Sequence, residues 1–284
     1  MKLSQTRIAI TLAILVVTTS GCGLINRVRA KNQLNEAARA YHEGHFDEAE
    51  QHSRRALELD PDSKSAPLFI ARTIHAQYRP GVQAAENIEK ANEAIQAYQK
   101  ILEKDPKNEE AFKAIAYLYG AVKDDEKLRA WLSTRANDAS AEPEKRAEAY
   151  TILASKDWDC SFKITELPSN KTTTISTGNR ATVSYKKPPQ EKDFVAAQAC
   201  VKRGLEEIEN AIKLDPNNES AWSYKTNLLI EASKQAEMDG KMDQKAQLDK
   251  QREEAQKRTS ALSEANQKKK EEEEARKAAS PQKK

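Results

Sequence analysis

The sequence predicts an all-α protein, an α-solenoid of about five stacked antiparallel helix pairs with a small β-hairpin inserted in the fourth pair. Three observations predict it. Charged residues make up 32% of the 284 and aromatic ones 6%, so the core must be thin and extended, as between stacked helices. Only eight glycines occur, too few for the many tight turns of a sandwich or barrel. Finally, three segments share one internal ruler: Ala49, Ala56, Pro61, then Ala94, Ile101, Pro106, then Gly204, Ala211, Pro216, with separations of seven and five each time.

The chain opens with a different pattern. Lys2 and Arg7 precede an apolar run from Ile8 to Val17, and Thr18-Thr19-Ser20-Gly21 lead into Cys22. Residues 1–21 therefore have the layout of a signal peptide. Small residues followed by cysteine resemble the bacterial lipobox, although Thr19 stands where that motif usually carries Leu. The resemblance implies that Cys22 is acylated and begins the mature chain, with 22–30 as an anchor linker. At roughly 0.8 kcal/mol per buried methylene, two or more acyl chains hold a protein at a membrane essentially permanently. Gly23, where Asp would favour inner-membrane retention, leans by the same resemblance toward the outer membrane. Two alternatives stay open: an uncleaved anchor, because Ile8–Ile25 is an uncharged stretch of 18 residues at the lower limit for spanning, and a cleaved soluble form.

Residues 31–260 carry the helical array. Each ruler closes on an Asp-Pro pair after an amphipathic stretch, Leu57-Glu58-Leu59-Asp60, Leu102-Glu103-Lys104-Asp105 and Ile212-Lys213-Leu214-Asp215. Proline cannot continue a helix, so each stops at the same phase. Five residues after each proline stands an alanine, Ala66, Ala111 or Ala221, where the next helix begins. There Phe112, Ile115, Ala116 and Tyr119, like Pro67, Ile70, Ala71 and Ile74, share one helical face. Tyr41, Gly44, Phe46 and Ala49 supply a turn signature in the first unit. Together these residues resemble the tetratricopeptide repeat, a unit of about 34 residues built of two antiparallel helices.

The spacing departs from that unit twice. Pro61 to Pro106 is 45 residues, and Arg79-Pro80-Gly81 marks the extra turn. Pro106 to Pro216 is 110 residues, which predicts helices over about 109–122, 125–137, 144–156 and 191–213, with the excess at 157–190. Tyr150, Leu153 and Ala154 keep the register of the fourth unit before it is interrupted. Within the insertion, Phe162–Leu167 and Ala181–Tyr185 alternate and are rich in β-branched residues, which predicts a β-hairpin. It is either a loop decoration or a partner-binding element. Cys160 and Cys200 flank it, and an even pair in an oxidising envelope invites a disulfide, the alternative being two unconnected small apolar residues. Residues 261–284, with Lys268–Lys270 followed by Glu271–Glu274, form a charged tail, helical or disordered.

Little in the chain points to chemistry. The formal charge of +3 falls to +1 without residues 1–21, and basic residues alternate with acids, so nucleic acid is not an expected partner. Glycine-rich phosphate loops and Cys-x-x-Cys or His-Glu-x-x-His signatures do not occur, so no cofactor, metal or small-molecule substrate is expected. His42, His45, Asp47 and Glu48 crowd the first turn, but the spread to His52 puts ligands on different helix faces, and they read as solvated turn residues. A cysteine nucleophile would need a base, and no histidine follows position 75.

The resemblance implies that the first helix of each unit lines an inner surface on which protein partners lie. In the first half of the array the register puts Tyr41, His42, Arg72, His75, Lys113 and Tyr117 there; in the second half it puts Ser155, Trp158, Asn227 and Ile230. Some family members grip a terminal carboxylate with a Lys and an Asn four apart. Lys31 and Asn35 have that spacing but lie three positions off the clamp register, so no clamp is expected. The reading is a non-enzymatic, membrane-anchored interaction scaffold of the bacterial cell envelope. Its rivals are a structural subunit of a permanent complex and an enzyme with its site at 157–190.

Overall fold

The computed structural model describes residues 3–176 and 180–279, with side chains from Gly23 onward except those of 175–182 and Ala279. Ten α-helices and one two-stranded antiparallel sheet are present among them. The helices are α1 (Leu3–His42), α2 (Phe46–Leu59), α3 (Ala66–Gln77), α4 (Ala85–Lys104), α5 (Glu109–Ala121), α6 (Asp125–Ala136), α7 (Pro143–Thr165), α8 (Glu191–Leu214), α9 (Glu219–Met238) and α10 (Met242–Ala279). The strands, β1 (Lys171–Ser176) and β2 (Arg180–Tyr185), lie between α7 and α8, the fourth helix pair. The chain divides into two compact units, residues 1–128 and 129–284.

The Asp-Pro pairs act as helix stops. Asp60, Asp105 and Asp215 are the C-caps of α2, α4 and α8, with φ of −136°, −135° and −137°. Proline's ring disfavours the helical region for the residue before it. Two residues after each proline, a side-chain oxygen restarts the helix: Ser63 accepts from Ala66 N (3.2 Å), Asn108 from Ala111 N (3.0 Å) and Asn218 from Ala221 N (3.0 Å). Those three alanines are fully buried.

In the first unit consecutive helices pack on one another from α1 to α5, and α1 also meets α3. The core is made of small residues. Ala49, Ala56, Ala71, Ala91 and Ala94 are all fully buried, and without bulk at the seam the helices approach closely. The longer connection between α3 and α4 is braced by Asn87, whose amide bonds Arg79 N, Arg79 O and Val82 O at 2.8 Å. Gly81 there takes φ +84°, a conformation open to glycine.

In the second unit α7 packs on α8 and α9, and α10 covers α9. Cys160 and Cys200 are joined, tying α7 to α8. Expectation and structure part at the first strand. Phe162–Leu167 is not a strand; α7 continues to Thr165, and β1 begins at Lys171. Ser161 and Thr165, one helical turn apart and both fully buried, donate to Glu231 of α9 at 2.8 and 2.6 Å. That burial and the bridge at Cys160 override the β-propensity of the segment. α7 thus runs nine residues past the expected end at 156.

The hairpin is fastened to α9. Lys234 Nζ bonds Glu166 (2.5 Å) and Glu231 (2.6 Å), and it lies 5.3 Å from the ring centroid of Phe162 and 5.0 Å from that of Tyr185. Tyr185 donates its hydroxyl to Glu166 and its amide to Glu237. The side chain of Cys22 lies outside the described residues, and α1 runs unbroken through 22–30. Among the described residues no helix is long and apolar enough to cross a membrane.

Candidate functional site

α1, α3 and α5 of the first unit present one continuous face, because each is the first helix of its pair. Five of the residues expected there, Tyr41, Arg72, His75, Lys113 and Tyr117, line a single cleft of about 630 Å³. Each reaches it by helical spacing: Arg72 and His75 are one turn apart on α3, Lys113 and Tyr117 one turn apart on α5. Tyr41, at the end of α1, packs edge-on against Phe46 and Phe69, with centroids 5.3 and 6.4 Å away. His42 is exposed and touches Tyr41 edge-on, and it does not line the cleft.

The cleft's charges are largely neutralised. Arg72 clamps Glu110 through both Nε and Nη2, and that bond raises the pKa of its guanidinium. Burial lowers the pKa of His75, so the imidazole is neutral at pH 7. The same ring stands 5.5 Å from Tyr117 and 5.9 Å from Tyr98, with Nδ1 3.4 Å from the Tyr98 hydroxyl. Burial also raises the pKa of Tyr98, keeping it protonated.

The lining residues missed in the sequence include Tyr78, Tyr98 and Glu110. Tyr98 belongs to α4, the second helix of its pair, and enters from behind. Tyr78 caps the C-terminus of α3 at the extra turn, and its side chain is 4% exposed with no partner for the hydroxyl. A buried hydroxyl left unpaired costs about 1–3 kcal/mol. Tyr117, by contrast, is 52% exposed. Aromatic walls and paired charges suit a neutral main chain with apolar or ring side chains.

A larger cavity of about 750 Å³ lies at the first turn, lined by His45, Asp47, Glu48, Asn87 and Lys90 among others. Its polar lining is already engaged: Asn87 braces its loop, Lys90 bonds Glu93, and Gln77 bonds Glu50. No group of three or more candidate metal ligands occurs among the described residues.

In the second unit the expected inner residues are placed separately. Trp158 of α7 stacks near Phe162 (5.1 Å) and Tyr224 of α9 (6.1 Å). Ser155 turns its hydroxyl back to Ile152 O, while Asn227 and Ile230 are half-buried on α9. Cys160 is bonded to Cys200, so its sulfur is no free nucleophile.

Phased Asp-Pro stops, buried small residues at equivalent positions and paired consecutive helices make this a tetratricopeptide-type fold. The profile of the protein prenyltransferase alpha subunit repeat matches residues 201–231, the second half of α8 and the first of α9. Among solved structures the chain is similar to MamA from Desulfovibrio magneticus RS-1, at 14% identity and a TM-score of 0.41, covering 84% of this chain and 96% of that one. It is also similar to a TPR repeats protein from Bacteroides fragilis, at 13% identity and a TM-score of 0.30, covering 70% and 97%. A third is the TPR2AB domain of yeast Sti1 in complex with pHSP90, at 14% identity and a TM-score of 0.30, covering 82% and 96%. No curated protein matches the sequence.

Proposed function

We propose that this chain is a scaffold of the bacterial cell envelope, anchored through acylated Cys22 and holding an extended protein segment in the cleft of its first unit. It serves the assembly of an outer-membrane or secretion complex and has no catalytic role of its own. The observation that carries the reading is the cleft, about 630 Å³ and lined by the rings of Tyr41, His75, Tyr98 and Tyr117. Half-exposed Tyr117 and Tyr41 offer ring surfaces for the side chains of a bound segment. The signal-peptide layout and Gly23 support placement at the outer membrane.

The experiment is a pull-down from detergent-solubilised envelopes with the intact chain and with Arg72→Ala/Tyr117→Ala. The intact chain is expected to enrich a discrete set of proteins that the variant loses at least about tenfold, the scale of a 1.4 kcal/mol contact. Equal capture by both removes the cleft as the binding site. For the anchor, intact mass is compared between wild type and Cys22→Ala; a wild type without a lipid-sized increment ends the acylation claim.

A further inference from the structure

Away from the cleft, two acidic side chains meet inside the second unit. Asp157 of α7 is 1% exposed and Glu207 of α8 16%. Each keeps one buried oxygen, Asp157 Oδ2 and Glu207 Oε2, that neither a backbone group nor a cation satisfies. Both bond the one guanidinium of Arg129, which sets their carboxyls side by side. Two carboxylates cannot hydrogen-bond unless one carries a proton, since both are then acceptors only.

The surrounding groups are few. From α6, Arg129 bonds Asp157 (2.8 Å) and Glu207 (2.7 Å). From α8 itself, Arg203 bonds Asp157 (2.7 Å) and stands 3.4 Å from Cys200 Sγ of the bridge. From α9, Leu228 packs against Gly204, and Lys225 of that helix is held by Glu209. The two arginines would balance two ionised acids by count. However, Arg203 is 50% exposed and Arg129 35%, so water screens their charges while the acids remain buried.

We infer that Glu207 carries a proton toward Asp157 and that the two form a pH-sensitive latch between α7 and α8, closed in mildly acidic solution and opposed by like-charge repulsion in alkaline solution. Burial, then the charge of Asp157, pushes Glu207 up to about 7, while an unfolded glutamate titrates near its ordinary 4.5. Between those values the folded chain binds the extra proton, so stability declines as pH rises through the window and is level above it.

All three tryptophans, Trp131, Trp158 and Trp222, lie in the second unit, so their emission reports it alone. Thermal midpoints of the full chain are measured by this emission at about pH 5 and pH 8 for wild type and Glu207→Gln. The amide of the variant donates to Asp157 at every pH. The wild-type midpoint is expected to fall between the two conditions and that of the variant to fall less, so the two curves diverge toward pH 8. In parallel, the 13C shift of the Glu207 side-chain carboxyl is followed by NMR. It should titrate near neutrality in wild type and move back toward the ordinary glutamate range in Asp157→Asn. Equal falls in both chains, or a Glu207 carboxyl titrating in the ordinary range, overturn the latch; the carboxyl titration decides alone if Glu207→Gln does not fold.

Discussion

Gly204 occupies the place that Ala49 and Ala94 hold in the earlier rulers, and the geometry explains the smaller residue. A Cβ there would lie 2.6 Å from Leu228 Cδ2 and 3.1 Å from Asp157 Cβ. Leu228 is fully buried, so its methyl can shift only against packed neighbours. Overpacking costs about 1–3 kcal/mol, and the helix propensity gained over glycine returns about 1 kcal/mol. Gly204→Ala is therefore expected to destabilise the second unit by up to about 2 kcal/mol in urea unfolding followed by tryptophan emission. Adding Leu228→Val should recover part of it. Glu166 gives a second test. Burial disfavours its charge, but bonds from Lys171, Lys234 and Tyr185 prevail and hold it down at about 2. Its contribution is present above the ordinary 4.5 and lost as pH falls toward 2. Acid titration of Glu166→Gln, read by the Tyr185 ring signals, should lack the loosening of the hairpin that wild type shows in that window.

At the scale of elements, the chain announces its stops and starts. Asp60-Pro61, Asp105-Pro106 and Asp215-Pro216 end α2, α4 and α8, and the predicted bounds of α5, α6 and α8 lie within one residue of the observed ones. Local chemistry sets those ends, so a sequence can show them. Ser63, Asn108 and Asn218 recur at one phase as well, though their capping role emerged only with the coordinates. Asn108→Ala and Asn218→Ala are each expected to cost about 1 kcal/mol, the usual loss for such a cap, measured as a urea midpoint shift. The strand expected at Phe162–Leu167 fails for the opposite reason. Its conformation is decided by Glu231, some 66 to 70 residues away, which no local pattern reports. The bridge between Cys160 and Cys200 closes a 40-residue separation. On the chain-entropy model, reduction should lower the stability of the second unit by about 3–4 kcal/mol; unfolding with and without a dithiol reductant checks it.

Over the whole molecule, the face of each first helix was legible because helical register alone assigns it, and five of the ten residues placed on it line one cleft. Tyr78 and Tyr98 were not legible. One sits in the extra turn and the other on a second helix, positions that register assigns to the outside or the core. The Asp157–Glu207 contact is likewise invisible along the chain, since it exists only once α7 and α8 pack. Together Glu166 and Glu207, both half-buried, set a pH profile for the second unit: Glu166 stabilises it above 4.5, and Glu207 does so progressively less from 4.5 to about 7. Its midpoint should therefore be highest near pH 4.5–5 and fall on both sides.

The recurrent Asp-Pro pairs carry one more consequence. An aspartyl-prolyl amide is the backbone bond most readily hydrolysed in warm dilute acid, because the neighbouring carboxyl attacks it and the ring nitrogen is a good leaving group. Pro61, Pro106 and Pro216 are all exposed. The chain is thus perforated where one helix hairpin gives way to the next, and mild acidolysis should release fragments beginning at those three prolines, each opening with the loop that leads into the first helix of a repeat.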